Sequence, residues 1–296
     1  MLITKKIKNG LFHYLRRYHQ ELVRHTIPLW KYRFSQESRN WKRLKNQYQG
    51  QRCFILGNGP SLKQQDLTLL KNEITFVTNW FVLHPEIEEI NPNYYCICAH
   101  EIFGTKSDQY IQWNREVNFE QKLYDLLQRK AKNSVKVFPF YFKKGIKQKG
   151  FFKDDTLMYL FFEPPAKALH EVGYMNLDIA KERLNSGETV IINFCLPIAY
   201  YLGFKQVYLI GCDCDYGMKK SDDPRSYFYN AKDQSGAAPS FEWLQRSWSS
   251  DGPMIQSYAV ARQEFEKRGR KIYNATAGGK LEVFPRVNYE NLFEKG

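Results

Sequence analysis

The chain has 296 residues, 43% apolar and 16% aromatic, enough core material for one large α/β domain or two small ones, so it is expected to fold. Its net charge of +13 is uneven: residues 1–52 carry thirteen Lys/Arg against Glu21 and Glu37. The basicity therefore belongs to an N-terminal arm and does not mark the rest as nucleic-acid binding. No window approaches the roughly 18 apolar residues of a membrane span, and the N-terminus lacks a signal peptide's unbroken apolar core, which predicts a cytoplasmic protein.

In residues 2–22, Ile3, Ile7, Leu11, Tyr14, Leu15, Tyr18 and Leu22 recur at helical spacing, with Lys5, Lys6, Lys8, Arg16 and Arg17 mostly on other faces. A second aromatic and basic stretch follows, with Trp30, Tyr32, Phe34, Trp41 and Tyr48 among Lys31, Arg33, Lys42, Arg43 and Lys45. Residues 1–48 read as a basic amphipathic helical arm. It suits either an anionic membrane surface, on the inner face of the cytoplasmic membrane, or packing as a helical hairpin on the main domain. No base-reading module accompanies it, so nucleic acid is not expected as a partner.

From residue 49 to 296 the pattern is α/β. Strands are predicted at Cys53–Leu56, Ile74–Thr78, Tyr94–Ala99, Val135–Phe138, Val207–Ile210 and Lys271–Tyr273, and helices at Leu62–Leu70, Ser107–Leu127, Val190–Leu202 and Pro253–Lys267. The alternation predicts a single Rossmann-like, mostly parallel sheet with helices on both faces. Residues 143–187 are less regular and read as a subdomain over the site. Residues 216–252, rich in Gly, Ser, Asp and aromatic residues, read as a lid.

The first strand breaks at Gly57-Asn58-Gly59-Pro60-Ser61 and reopens towards Leu62. Two glycines permit a tight turn and close approach of a ligand, and Pro60 suits a first helical turn whose free N–H groups favour an anion. The spacing is neither a dinucleotide fingerprint nor a Walker loop. Asn58, Asn79, His100 and Asp213 each stand just past a predicted strand, so they converge at the edge where parallel sheets collect ligands. Asp213-Cys214-Asp215 offers two carboxylates that could hold Mg²⁺ against a diphosphate, or could orient loops. Tyr216 and Tyr227 could donate hydrogen bonds to a leaving phosphate without a metal. The six cysteines include pairs one residue apart inside apolar runs, which suits buried, reduced thiols better than zinc. Motifs of covalent hydrolases are absent from the sequence.

Taken together, Cys53–Leu62, Asn79, Gly187-Glu188-Thr189-Val190, Ala199–Phe204, Val207–Asp213 and Gly269–Leu281 resemble the bacterial proteins grouped as 6-hydroxymethylpterin diphosphokinase-like. The same skeleton is similar to the lipooligosaccharide sialyltransferases of glycosyltransferase family 42. The resemblance covers roughly residues 52–104, 184–229 and 253–293, and not the arm or residues 105–183. It implies a GT-A-like fold and an inverting transfer, without a catalytic metal or other required cofactor, of an acidic sugar from a CMP donor to a bacterial surface glycan. The donor site it implies comprises Gly57, Asn58, Gly59, Pro60, Ser61, Asn79, His100, Thr189 and Asp213. Tyr227 matches one tyrosine that assists the departing phosphate. Asp215 stands at the position of the other, with Tyr216 beside it. The family's base histidine would fall near Gly252; the sequence has no His after His170, and Asp251 is the nearest replacement. Glycan or lipid-linked acceptors are the partners implied, and the sequence leaves open whether a second subunit of a homo-oligomer contributes to the site. The alternatives are an ATP-dependent pterin pyrophosphokinase with Mg²⁺ on Asp213 and Asp215, and a binding protein of glycan assembly that has lost catalysis.

Overall fold

The computed structural model describes residues 26–98, 119–162, 167–215, 227–229 and 252–294. Seven strands form one sheet: β1 (Arg52–Leu56), β2 (Thr75–Thr78), β3 (Tyr94–Cys96), β4 (Val135–Pro139), β5 (Leu157–Leu160), β6 (Gln206–Ile210) and β7 (Lys271–Asn274). Their order is β5-β4-β3-β2-β1-β6-β7 and every neighbouring pair is parallel. The chain builds outward from β1 to β5, then crosses back to add β6 and β7 on the other side. This reversal creates a topological switch point between β1 and β6.

The strands are apolar almost throughout because both faces are covered. Cys53 and Ile55 join Phe76, Cys96, Val207 and Leu209 in one core, while Phe54 and Leu56 join Val77, Tyr95, Tyr208 and Ile210 in the other, the period of two expected of a pleated strand. The longer helices of the described residues are α1 (Ile27–Arg33), α2 (Gln36–Leu44), α3 (Phe119–Lys130), α4 (Lys143–Lys149), α5 (Leu196–Leu202) and α6 (Pro253–Glu266). Leu196, Ile198 and Ala199 of α5 and Met254, Tyr258 and Phe265 of α6 fill the first core, and Leu123 and Leu127 of α3 fill the second. Five buried π-helical residues, Ile191–Cys195, lead into α5. The wide turn adjoins Pro197, which has no N–H to donate to the preceding turn.

Four expectations are corrected. No helix spans Leu62–Leu70: two 3₁₀ turns, Pro60–Gln64 and Leu67–Leu70, stand there, separated by extended Gln65 and by Asp66, whose carboxylate accepts from Thr68 N at 3.0 Å. The anion-favouring helix start inferred behind the glycine loop is therefore only a short turn. Residues 143–187 are not a separate subdomain, since residues 143–160 supply α4 and the edge strand β5, farthest from β7 in the same sheet. A buried ion pair ties that edge down: Lys136 Nζ in β4 donates to Asp155 Oδ1 at 2.5 Å and to the carbonyls of Ala131 and Lys132.

The fourth correction moves the domain boundary. Residues 27–44 belong to the α/β body, where Tyr32 and Trp41 are completely buried. Tyr32 Oη donates to Ile179 O at 2.8 Å, Trp41 Nε1 to Tyr159 O at 2.8 Å and Ser38 Oγ to Ala180 O at 2.6 Å. Of the two readings of the aromatic stretch, the packed hairpin describes these residues; residues 1–25 lie outside the described ones. Trp41→Ala should accordingly lower unfolding stability by about 3–5 kcal/mol in a urea titration. A loosely attached arm predicts no change.

Candidate active site

The loop after β1 continues the ladder it leaves. Gly57 N donates to Ile210 O at 2.8 Å and Gly59 N to Gly211 O at 2.9 Å, so the loop runs along the segment after β6. A Cβ on Gly57 would stand 2.4 Å from Gly211 O, and one on Gly59 would stand 1.7 Å from Asp213 Oδ2. These glycines are required by the approach of one chain segment to another. The sequence reading attributed them to a ligand.

Asp213 occupies the switch point itself. Its Oδ2 accepts from Ser61 Oγ at 2.7 Å and its Oδ1 from Ser61 N at 3.2 Å, with both residues buried. The carboxylate thus fills the anion position at the start of the Pro60 turn and bridges the crevice between β1 and β6. Its backbone is gripped from the other side, where Lys280 N donates to Asp213 O at 2.6 Å. Asp215 pairs with Lys280 Nζ at 2.7 Å. Asp213 and Asp215 are therefore engaged by different partners, a poor fit to one metal held between them. Among the described residues no three His, Cys, Asp or Glu side chains group as a metal site.

The segment after β7 locks into the same cluster. Thr276 Oγ1 accepts from Cys212 N at 3.1 Å, Gln65 Nε2 donates to Ala275 O at 2.9 Å, and Asn274 Nδ2 to Leu281 O at 2.7 Å. Arg286 holds the turn through the carbonyls of Gly278 and Gly279.

The open polar groups lie one strand over, above β1 and β2. Asn58 Nδ2 donates to Thr78 O at 3.2 Å and Thr78 Oγ1 at 3.3 Å, which fixes the amide's orientation. Its Oδ1 is buried and has no partner among the described residues. Asn79 adopts a left-handed conformation, φ 46°, and its backbone carbonyl accepts from Tyr95 Oη at 2.6 Å. Its Oδ1 is likewise buried and unpartnered. Buried polar atoms are normally paired, so these two amide oxygens stand out, as do Thr75 Oγ1, Ser134 Oγ and His170 Nδ1 elsewhere among the described residues.

Besides the expected Tyr227, three residues over this edge, Phe228, Tyr229 and Tyr95, escape sequence reasoning. Phe228 N donates to Asn58 O at 3.1 Å, and the Phe228 ring packs edge-on against Phe81 and His84. This anchors the described part of the predicted lid. Beside it Tyr227 stacks on Tyr229 at 5.1 Å. Tyr95 is the third, setting the Asn79 turn from inside the core. Only the aromatic triplet at 227–229 hinted at any of this in the sequence. Thr189 proves to be a helix cap, its Oγ1 accepting from Ile192 N at 3.2 Å. His100, Tyr216 and Asp251 lie outside the described residues, as does most of the 216–252 segment. The six cysteines are buried, and burial pushes the Cys53, Cys195, Cys212 and Cys214 thiols up, leaving these four weak nucleophiles.

No family model matches the chain. No curated protein matches it either. Comparison with solved structures returns the sialyltransferase CstII from Campylobacter jejuni, in complex with a substrate analogue, cytidine-5'-monophosphate. The two chains are 18% identical, with a TM-score of 0.44 over 81% of this chain and 85% of that one.

Ser61→Ala, which strips a buried carboxylate of its best donor, should lower stability by about 1.5–3 kcal/mol in urea. Gly59→Ala should do at least as much, whereas Gly145→Ala, which meets nothing within 4 Å, should not destabilise. Burial pushes His84 down to about 4, while the unfolded imidazole titrates near 6.5. The unfolded chain therefore binds the extra proton, and His84 contributes a loss of stability as pH falls from about 6.5 through about 4. In His84→Phe the pH dependence of the unfolding free energy over that window should flatten.

Proposed function

We propose that the chain is a glycosyltransferase that binds a nucleotide-activated sugar above β1 and β2. The donor class proposed is a CMP-linked acidic sugar, transferred with inversion to a bacterial surface glycan or lipid-linked acceptor. The observation that carries this reading is the pair of buried, unpartnered amide oxygens on Asn58 and Asn79. Both are acceptors and call for hydrogen-bond donors. Ribose hydroxyls and base amino groups supply donors, whereas a phosphate chain at neutral pH supplies only acceptors. The loop thus suits the nucleoside of a sugar donor better than the oligophosphate of ATP. The engagement of Asp213 by Ser61 and of Asp215 by Lys280 weighs in the same direction, because the pyrophosphokinase alternative needs both carboxylates on one Mg²⁺.

In this reaction an acceptor hydroxyl attacks the anomeric carbon from the side opposite the phosphate. The anomeric C–O bond breaks and the nucleoside monophosphate departs with its electron pair. Asp251 is proposed as the base that takes the hydroxyl proton. Tyr216 and Tyr227 are proposed to donate hydrogen bonds to the departing phosphate, with His100 at the donor edge. Gly57, Gly59, Pro60, Ser61 and Asp213 act on the donor indirectly, by fixing the loop that carries Asn58. Thr189 acts through the helix it caps.

Calorimetry with CMP, CDP, UDP, GDP and ATP, with and without EDTA, tests the proposal. CMP binding unaffected by EDTA is expected. Asn58→Ala and Asn79→Gly, the latter chosen to keep the left-handed turn unstrained, should each weaken binding by roughly ten- to a hundredfold, the equivalent of one or two lost hydrogen bonds. Folded protein that binds none of the five nucleotides would overturn it.

A further inference from the structure

The N-terminal hairpin buries one side and leaves another exposed. Tyr32 of α1 points into the domain, whereas Ile27, Trp30 and Phe34, at spacings of three and four, are 39%, 61% and 63% exposed. The Trp30 and Phe34 rings lie 4.6 Å apart, forming one apolar ridge on the surface. Among the described residues the other exposed large apolar side chains, Leu69 and Tyr174, stand singly, whereas these three lie together at helical spacing.

Charge surrounds the ridge. Lys31 and Arg33 of α1 and Arg39, Lys42 and Arg43 of α2 are exposed, and the acidic residue of the two helices, Glu37, is buried. Glu37 is also spent, because Lys143 of α4 pairs with it. That pair brings α4, Lys-Lys-Gly-Ile-Lys-Gln-Lys, alongside the hairpin; Ile146 is buried beneath it and Lys144, Lys147 and Lys149 are exposed. Two basic stretches separated by about a hundred residues are thus neighbours through this pair, with the aromatic ridge on the first of them. Nothing in the sequence linked them.

We infer that this composite surface of α1, α2 and α4 docks on an anionic lipid bilayer. The ridge is suited to the headgroup boundary, where aromatic side chains partition, and each basic residue near such a surface adds about a fivefold gain in affinity. The residues before α1 add Lys5, Lys6, Lys8, Arg16, Arg17 and Arg24 to the same end of the chain. Nucleic acid would also be drawn by the charge, and bases stack on exposed aromatic rings, so added RNA is the competing outcome of the test. The inference does not depend on the reaction catalysed. Among the described residues no helix is long and apolar enough to cross a membrane, so the docking is peripheral.

Co-sedimentation of the full chain with phosphatidylcholine vesicles, with and without phosphatidylglycerol, tests it. Binding to the anionic vesicles alone is expected, weakening as salt rises. Trp30→Ala/Phe34→Ala should reduce it at least tenfold. Lys144→Gln/Lys147→Gln, far from the N-terminus in sequence, should reduce it about thirtyfold, two steps of the fivefold gain per basic residue. All four side chains are surface groups, and circular dichroism would check that the variants fold. Binding unchanged in either variant, equal binding to neutral vesicles, or loss of vesicle binding in favour of added RNA would each overturn the inference.

Discussion

The hydrogen bonds between Ser61 and Asp213 hold the carboxyl edge of the sheet in its observed form. A parallel sheet that reverses direction leaves a gap between the loops on either side of the reversal, and here a buried carboxylate closes it. The two glycines after β1 follow from this closure, because any side chain there would strike Gly211 or Asp213. The turn at Gly279 follows as well, since a Cβ there would stand 2.7 Å from Asp213 O. The segment Gly211–Asp213 thus dictates the glycines of two others, the loop after β1 and the turn at Gly279.

Closing the gap moves the available chemistry sideways. With the switch point occupied by the protein's own carboxylate, the open hydrogen-bonding capacity lies over β1 and β2, on Asn58 and Asn79. Both residues are held firmly, Asn58 by Thr78 and by Phe228, Asn79 by Tyr95 beneath it. The Asn58 amide, held by Thr78, has little side-chain freedom left to lose, whereas at Asn79 the bond from Tyr95 fixes the backbone.

The sheet was largely legible in the sequence because strands buried on both faces appear as unbroken apolar runs. Six of the seven were found, five of them to within a residue, while β3 ends at Cys96 and not Ala99. The seventh, β5, was hidden: Leu157–Leu160 follows a helix of lysines and sits between aromatic residues that suggested irregular packing. The convergence of Asn58, Asn79 and Asp213 was legible from strand ends alone. Their division of labour was not, because whether an aspartate meets a ligand or a serine 152 residues away depends on tertiary contact. The same limit explains the hairpin. The spacing of Trp30, Tyr32 and Phe34 shows that they alternate in direction along α1, but only the packed structure says which of them the domain covers.

The pairing of β1 with β6 has a temporal side. Arg52 lies opposite Gln206 and Leu56 opposite Ile210, so the sheet's interior joins residues that leave the ribosome some 150 positions apart. Strands β1 to β5 and the acceptor amides over β1 and β2 can assemble from the first half of the chain, whereas their clamp arrives with Asp213. Non-local parallel pairing of this kind is slow to form. A nascent chain should therefore pass through a stage in which the glycine loop exists without the carboxylate that gives it its shape, and the binding edge becomes competent only when the second half has docked.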